Sequence, residues 1–470
     1  MNSAVPLQVV VIGGGIAGLA AAHRVHQIDD SAQITVIERD GRLGGKLALA
    51  EVGGVQVDTG AEAVLNLRPE AVELARASGL EDSLVYPATT AANVWSRGVV
   101  QPMPRTMMGV PHDLRAIRGV ISTKGVARAA MEARMPPMLL EPGDDLSVGA
   151  LIEDRFGKEV VDRLVEPLLG GVYAGHAREL SVRATVPQLA MALDGSSTLT
   201  QIASRAMSRP AGDVPIFAGL RGGMGEMPGA VAQASGARVL LNTTVEELAR
   251  HGDGWQVRLS SDQAPLHADA VIIATQARPA ASLLTAVAPR AAHELDRIEY
   301  ASMAVLTLAF PTRDLPQIVG SGFLTPPVEG RQVKAATFSF NKWQWVKEAG
   351  QAQGLSIMRA SIGRFREEHL LNATDEELLQ RALSDLADAV GISVRPTAWH
   401  MQRWIDGLPQ YAVGHVERVA SIRREVAALP GIAVCGAAYD GVGIAACVAS
   451  GTTAATKVLG ELSGGADSKS

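Results

Sequence analysis

Leu7-Gln8-Val9-Val10-Val11-Ile12-Gly13-Gly14-Gly15-Ile16-Ala17-Gly18-Leu19-Ala20-Ala21-Ala22 is the stretch that decides the fold. The apolar, β-branched-rich run Leu7–Ile12 reads as a strand buried in a parallel sheet. Glycines break it, helical spacing resumes over Ala17–Ile28, and Gln33–Ile37 reads as a second strand. Gly13, Gly15 and Gly18 match G-x-G-x-x-G at the strand-to-helix turn, with Gly14, Ile16 and Ala17 between them. In that pattern the first glycine permits the tight turn, the second lets the backbone approach a pyrophosphate, and the third lets helix and strand pack closely. Glu38 ends the second strand 20 residues after Gly18. A carboxylate there accepts a ribose 2′-hydroxyl and repels a 2′-phosphate, which points to a dinucleotide and away from NADP. The bland alternative is a glycine-rich turn that binds nothing.

Working outward, the chain has 470 residues, 47% apolar and 20% charged, with net charge −6. That composition fits a globular protein of several domains and excludes disorder. The near balance of charge argues against nucleic acid as a partner. Two cysteines, Cys435 and Cys447, are too few for a disulfide scaffold or a cysteine-built zinc site and fit a reducing, cytoplasmic setting. They read as small buried apolar residues, a covalent flavin link being the less favoured alternative. No metal site is expected: His23 and His26 share a helix face without a third ligand and read as surface residues. Val5–Ala22 is long enough for a bilayer. Its glycines, and a first basic residue only at Arg24, argue instead for strand, turn and helix rather than a span or signal peptide.

A second motif follows at once: Arg42-Leu43-Gly44-Gly45-Lys46, then Asp58-Thr59-Gly60-Ala61-Glu62. A third closes the chain: Cys435-Gly436-Ala437-Ala438-Tyr439-Asp440-Gly441-Val442-Gly443-Ile444, also before a helix. Nothing in an NAD-type site demands two adjacent glycines after the acid. The arrangement resembles the GG-doublet flavoenzymes: amine oxidases, phytoene desaturases and protoporphyrinogen oxidases. Within that group the chain is most similar to the protoporphyrinogen/coproporphyrinogen III oxidase family, the bacterial coproporphyrin-forming type favoured. The likeness rests on Glu166–Gly175, Phe217–Met224, Thr337-Phe338-Ser339 with Lys342-Trp343, and above all Leu408-Pro409-Gln410-Tyr411-Ala412-Val413-Gly414-His415. Two departures, Gly60-Ala61 in place of Gly-Pro and Ala445-Ala446-Cys447 in place of Pro-Asp-Cys, leave the cofactor glycines intact and the substrate subtype open.

The resemblance implies a fold of mixed α/β and α+β class. A Rossmann-like FAD-binding domain would come from 1–85, 212–297 and 422–462, a helical insertion from 86–211, and a mixed-sheet substrate domain from 298–421, with a disordered tail over 463–470. Strands are expected at Arg238–Leu241, Trp255–Leu259, Ala270–Ala274, Ser302–Phe310, Val333–Phe340, Ser356–Ile362 and Ile432–Cys435, and helices at Asp375–Val390, capped by Thr374, and Ile444–Leu462. The cofactor implied is FAD. Its contacts would be Gly13, Gly14, Gly15, Ile16, Ala17, Gly18, Glu38, Arg39, Lys46, Gly60, Ala61, Glu62, Ala63, Val245, Trp404, Val442, Gly443 and Ile444. Arg68 would anchor a propionate or aid electrostatically, or else be a surface arginine opening its helix.

The activity implied is the oxygen-consuming, six-electron oxidation of a porphyrinogen in haem biosynthesis, with coproporphyrinogen III preferred. Protoporphyrinogen IX oxidase and flavin amine oxidase are the alternatives. A GDP-dissociation-inhibitor-like binding module is a third, opposed by the intact nucleotide glycines and Glu38. One further expectation concerns residues 95–140. Seven cations face two acids there, an excess of +5 against −11 for the rest of the chain, and six of the 14 methionines lie among them. An amphiphilic surface at the mouth of the site, touching a membrane's inner face or a haem-pathway enzyme reversibly, is set against a solvated basic face over a methionine-filled core.

Overall fold

Gln8–Ile12, Ile16–Ile28 and Gln33–Ile37 form the opening strand, helix and strand, and the two strands pair in parallel from Gln8 with Gln33 to Ile12 with Ile37. The computed structural model describes residues 6–208, 214–260 and 264–467. Arg238–Leu240 pairs outside Gln33–Ile37, and Ala270–Ile273 and then Ile432–Val434 extend the other edge. The result is a five-stranded, all-parallel sheet assembled from three distant parts of the chain. Val9, Val11 and Ile272 pack on one face with Ile16–Ile28 and the closing helix Ile444–Asp467. Val10, Ile12, Val271 and Ile273 pack on the other against Ala277–Leu284, Pro289–Asp296 and His415–Ala427. Burial of both faces is why these strands read as unbroken apolar runs.

The second sheet has seven strands, ordered Ala398–Pro409, Tyr300–Pro311, Leu355–Ile362, Val333–Thr337, Gly322–Leu324, Ala92–Ser96 and Val99–Pro102. Ala304, Leu306, Met358 and Ile362 face the helix Asp375–Val390, whose Leu378, Ala382 and Leu386 complete that core. Thr374 caps this helix, as the sequence predicts, and Glu377 bonds back to complete a capping box. The opposite face carries Met303, Arg359 and Trp404 toward the parallel-sheet half, where Arg359 bonds to Gly60 and Trp404 to Thr59.

Several segments differ from the sequence reading. Ala92–Ser96 and Val99–Pro102 lie inside the window read as helical yet pair into the seven-stranded sheet, Ala92–Ser96 in parallel with Gly322–Leu324. The strand expected over Val333–Phe340 stops at Thr337, and Ser339–Lys342 forms a short helix whose Lys342 reaches Glu62. The closing helix runs to Asp467, into the tail read as disordered. Buried Val458 and Leu459 anchor it, and extension of a nucleated helix costs little. Residues 468–470 lie outside the described residues. His23 is buried rather than on the surface, because its helix is covered by the closing helix.

The helical module holds Val148–Phe156, Glu166–Tyr173 and Leu199–Met207 around Leu151, Phe156, Leu164 and Leu189. Met103, Met107, Met108 and Met138 pack against this core, so four of the methionines expected on an amphiphilic surface are spent on packing. Glu132 is fully buried and paired with Arg155 at 3.0 Å. Arg97, Arg105, Arg115, Arg118, Lys124 and Arg134 remain exposed.

Candidate active site

The three fingerprint glycines each show a separate physical need. Gly13 has φ +111°, and a Cβ on it would lie 2.8 Å from the Ala274 carbonyl oxygen. At Gly18 the corresponding atom would fall 2.0 Å from the Gly13 oxygen, so helix and turn touch there. Gly15 caps the helix that begins at Ile16 and meets nothing within 4 Å. Open space also faces Gly443, just before the closing helix, while Gly45 has only the Gly15 Cα nearby, at 3.6 Å. These bare backbones leave room for a ligand approaching main chain and helix N-termini. Gly44 N donates to Gly14 O at 2.8 Å, stitching the glycine doublet to the turn. Arg42 braces the doublet by donating to the carbonyls of Leu43, Gly45 and Leu47.

Glu38 stands at the end of its strand, half-buried. Its two oxygens accept from Gly14 N at 2.7 Å and Asp40 N at 2.9 Å. Thr243 N donates to Glu38 O and Asn242 N to Asp40 O, both at 3.0 Å, which brings the segment leading into Val245 alongside. Arg39 is exposed and only 3.7 Å from Asp40. The fixed acid beside an open glycine turn fits the adenosine half of a dinucleotide.

The Gly60 loop lies under the second sheet. A Cβ on Gly60 would sit 1.9 Å from Lys46 O and 3.1 Å from Trp404 Cζ2, so no larger residue fits. Trp404 Nε1 donates to Thr59 O at 3.1 Å, and the Arg42 guanidinium lies 5.8 Å from the indole. Ala61 N donates to Lys46 O at 3.1 Å, and Ala63 packs beside Trp343. Burial lowers the Lys46 ammonium pKa, partly opposed by the Cys447 thiol. Glu62 accepts from Lys342 Nζ at 2.6 Å and Arg359 Nη1 at 2.9 Å, and the same guanidinium also bonds Gly60 O. Burial alone would raise the Glu62 pKa, but Lys342 and Arg359 outweigh it and hold it at about 2. Asp58 accepts from Met224 N and Gly225 N, each at 3.0 Å, fixing the hairpin beneath the loop.

Tyr411 joins the two halves. Its hydroxyl donates to Ala437 O at 2.6 Å and accepts from Gly441 N at 2.7 Å, gripping the C-terminal loop at two points. The ring stacks on His415 at 3.9 Å, and burial pushes His415 down to about 4. Gln410 Nε2 donates to Tyr173 O at 2.8 Å, tying the same motif to the helical module. Val442 also packs on that module, and Ile444 opens the closing helix. Cys435 and Cys447 are buried, and burial raises both thiols, Cys447 to about 11, so neither is primed for covalent attachment.

The structure brings Gly13–Gly18, Glu38, the doublet, the Gly60 loop and Trp404 to one junction. Arg68 sits elsewhere, ion-paired with Glu70 at 2.7 Å and 44% exposed. It lines a cavity of about 390 Å³ with Arg423, Asp440, Ser450 and Lys457 along the closing helix. Sequence reasoning missed the roles of Lys342, Arg359 and the Tyr411 hydroxyl. Lys342 and Tyr411 lie in motif segments that mark them. Arg359 occupies an ordinary alternating strand and carries no such mark. Among the described residues no cluster of His, Cys, Asp or Glu could hold a metal, and no helix is long and apolar enough to cross a membrane.

Comparison with known proteins gives a consistent placement. The family model described as flavin containing amine oxidoreductase matches residues 16–459. A curated protein from Mycobacterium tuberculosis, coproporphyrinogen III oxidase, is 36% identical over 97% of this chain and 98% of its own length. The coproporphyrinogen III oxidase of Bacillus subtilis is 30% identical over 96% of this chain and 97% of its own. A crystal structure of an Exiguobacterium sp. 255-15 protein superposes with TM-score 0.85 at 31% identity, covering 97% of this chain and 99% of that one. The chain is a member of the flavin-containing amine oxidoreductase family, within its protoporphyrinogen/coproporphyrinogen III oxidase group.

Proposed function

We propose that this chain binds FAD noncovalently and oxidises coproporphyrinogen III to coproporphyrin III. Six electrons leave in three two-electron rounds, and three O2 become three H2O2. Bound FAD supplies the hydride acceptor, and the protein supplies orientation and electrostatics. The turn at Gly13–Gly18 and the helix start at Ile16 suit the pyrophosphate, Glu38 a ribose hydroxyl, and the Val245 backbone the adenine edge. The N-terminus of the closing helix, at Gly443-Ile444, favours negative charge in front of it. The Lys342–Glu62–Arg359 triad holds the Gly60 loop against Trp404. Arg68, ion-paired with Glu70 outside that junction, takes in this reading the second role the sequence offered, a surface arginine. Among the described residues a nucleotide fingerprint occurs on one parallel sheet, which leaves a diffusible electron acceptor such as oxygen rather than a second bound nucleotide.

The substrate slot of this reading lies on the free face of the seven-stranded sheet. Met303, Leu324, Ala335, Ser361 and Gln402 are all half-buried there. Gly171 of the helix Glu166–Tyr173 opposes Leu324, where a Cβ would come within 3.5 Å of it. This sheet face and the helix packed on it are the two surfaces between which the reading places the macrocycle. The observation that carries the reading is the Tyr411 grip. The motif most specific to the family physically links the cofactor loop to the substrate-side modules. Protoporphyrinogen IX is the second substrate reading, supported by a Macaca fascicularis protoporphyrinogen oxidase at 28% identity over 96% of this chain. Contact with an anionic membrane surface or a pathway enzyme, through the exposed cations of 95–140, completes the proposal.

Anaerobic mixing with each porphyrinogen, followed by flavin bleaching and porphyrin fluorescence, tests it. Bleaching by coproporphyrinogen III with the higher kcat/KM is expected, and acid precipitation should release all yellow colour into the supernatant. A kcat/KM favouring protoporphyrinogen IX by a wide margin overturns the substrate. Amine-dependent peroxide release with no response to either porphyrinogen overturns the class.

A further inference from the structure

We propose that Lys334, with Arg364 and Thr325 beside it, forms a built receptor for one carboxylate arm of the substrate. This rests on the porphyrinogen reading above and names a subsite within it. Lys334 falls where the register of its strand shifts between Val333 and Ala335, so it is the extra residue of a bulge. Bulges re-aim a side chain out of the strict alternation of a strand. The long strand Tyr300–Pro311, on the far side of Leu355–Ile362, shifts register just before Met303, on the free face of the sheet. Lys334 Nζ reaches that residue, 3.8 Å from its thioether sulfur. A thioether is a weak acceptor and carries no compensating charge.

Burial makes this arrangement costly. Lys334 is 5% exposed, Arg364 4% and Thr325 1%. Arg364 donates to Thr325 O at 3.2 Å and lies 3.4 Å from Glu367, the carboxylate whose charge bears on Lys334 as well. Burial lowers the Lys334 pKa to about 7, Arg364 adding to the fall and Glu367 opposing it from the Arg364 side. The Thr325 hydroxyl, fully buried, has no hydrogen-bond partner, although Thr325 N donates to Lys334 O at 2.8 Å. Lys334, Arg364 and Thr325 are thus joined through backbone groups, with Glu367 the one acid near the two basic side chains and the Thr325 hydroxyl left unpaired. Such a cluster is expensive to keep in a folded protein unless a ligand supplies the acceptor. The place is also right. Phe365, next to Arg364, donates its N–H to Ala174 O at 2.7 Å, at the end of the glycine-bearing helix that packs on this sheet face. A propionate reaching past Met303 would displace the thioether contact and accept from the Lys334 ammonium, with the Arg364 charge behind it.

The test uses the FAD-loaded enzyme and two probes, coproporphyrin III and its tetramethyl ester, titrated by fluorescence quenching. Lys334→Met should weaken the tetra-acid by on the order of 10–100-fold, the scale of a charge-assisted hydrogen bond, and leave the ester unchanged. Lys334→Arg should restore much of the loss. Flavin absorbance per protein should not change, and the melting temperature should hold or rise, because an unpaired buried charge has been removed. A merely structural lysine would instead lower the melting temperature and weaken both probes alike, which overturns the proposal. Wild-type affinity of the variant for the tetra-acid, with porphyrinogen oxidation intact, also overturns the subsite while leaving the function standing. A wild-type enzyme that neither binds porphyrins nor oxidises porphyrinogens overturns both.

Discussion

Glu62 carries more than its motif position suggests, because its carboxylate neutralises two cations under the Gly60 loop. Glu62→Gln would leave Lys342 and Arg359 buried without a counter-charge, a loss of ~3–5 kcal/mol for a broken buried pair. Urea unfolding of the variant measures it. The pH dependence has a definite sign. The folded carboxyl titrates at about 2 against an ordinary 4.5. The triad therefore contributes its stability above pH 4.5 and loses it as pH falls through 4.5 toward 2. Wild type and Glu62→Gln should converge in stability on acidification. Profiles that stay parallel from pH 7 to pH 3 would show that the triad holds nothing. At this scale the sequence is legible where a backbone constraint fixes the residue: Gly13, Gly18 and Gly60 could be read because a Cβ there collides with main chain. Arg359 and Lys334 could not: the Arg359 partners are hundreds of residues away, and Lys334 lies in a bulge that no local pattern announces.

The loop Gly436–Gly443 holds its shape through hydrogen bonds from another element. Tyr411→Phe removes the hydroxyl that serves Ala437 O and Gly441 N, leaving two backbone groups short of a partner at ~1–3 kcal/mol. Loosening should appear as weaker flavin retention, roughly 5–100-fold in Kd by the same energies, with the melting temperature of the apoprotein lowered less than that of the flavin-loaded wild type is raised by its cofactor. Unchanged FAD affinity would remove Tyr411 from the cofactor site. Elements with local punctuation were readable: Gln33–Ile37 and the Thr374-capped helix Asp375–Val390 have the bounds their sequences predict. The long strand Ala398–Pro409 was not, because Arg403, Trp404 and Asp406 interrupt its apolar pattern to serve an ion pair, the Gly60 loop and a bulged neighbour. Ala92–Ser96 forms a local hairpin with Val99–Pro102 yet escaped notice, since the sheet that fixes it is reached through Gly322–Leu324, more than 200 residues later.

On the scale of the molecule, the uneven charge separates into a structural part and a surface part. Packing consumes four methionines of the basic window, whereas its exposed arginines and Lys124 remain free to meet solvent or lipid. Clustered cations gain ~1 kcal/mol each near anionic lipid, within a Debye length. Sedimentation with anionic vesicles should therefore pull down the protein at low salt and release it as salt rises, with neutral vesicles inert. Equal pelleting by an Arg115/Arg118/Lys124 charge-removed variant would end the idea of a lipid contact. The class of fold was legible because the nucleotide turn lies within one short stretch. The joining of the modules was not, because it is made by side chains from Tyr411, Gln410 and Lys342 across long separations.

The parallel sheet draws strands from the first forty residues, from 238–273 and from 432–434. During synthesis the opening βαβ unit leaves the ribosome long before its edge strand, its covering helix and the loop gripped by Tyr411 exist. The nascent chain must carry an uncovered apolar sheet while two other modules are made and folded, a long-range closure that is slow and exposes the chain to aggregation. Flavin capture then becomes a late event that reports completion of translation: chains arrested before residue 432 should emerge colourless and depend on chaperones, whatever the integrity of their N-terminal fingerprint.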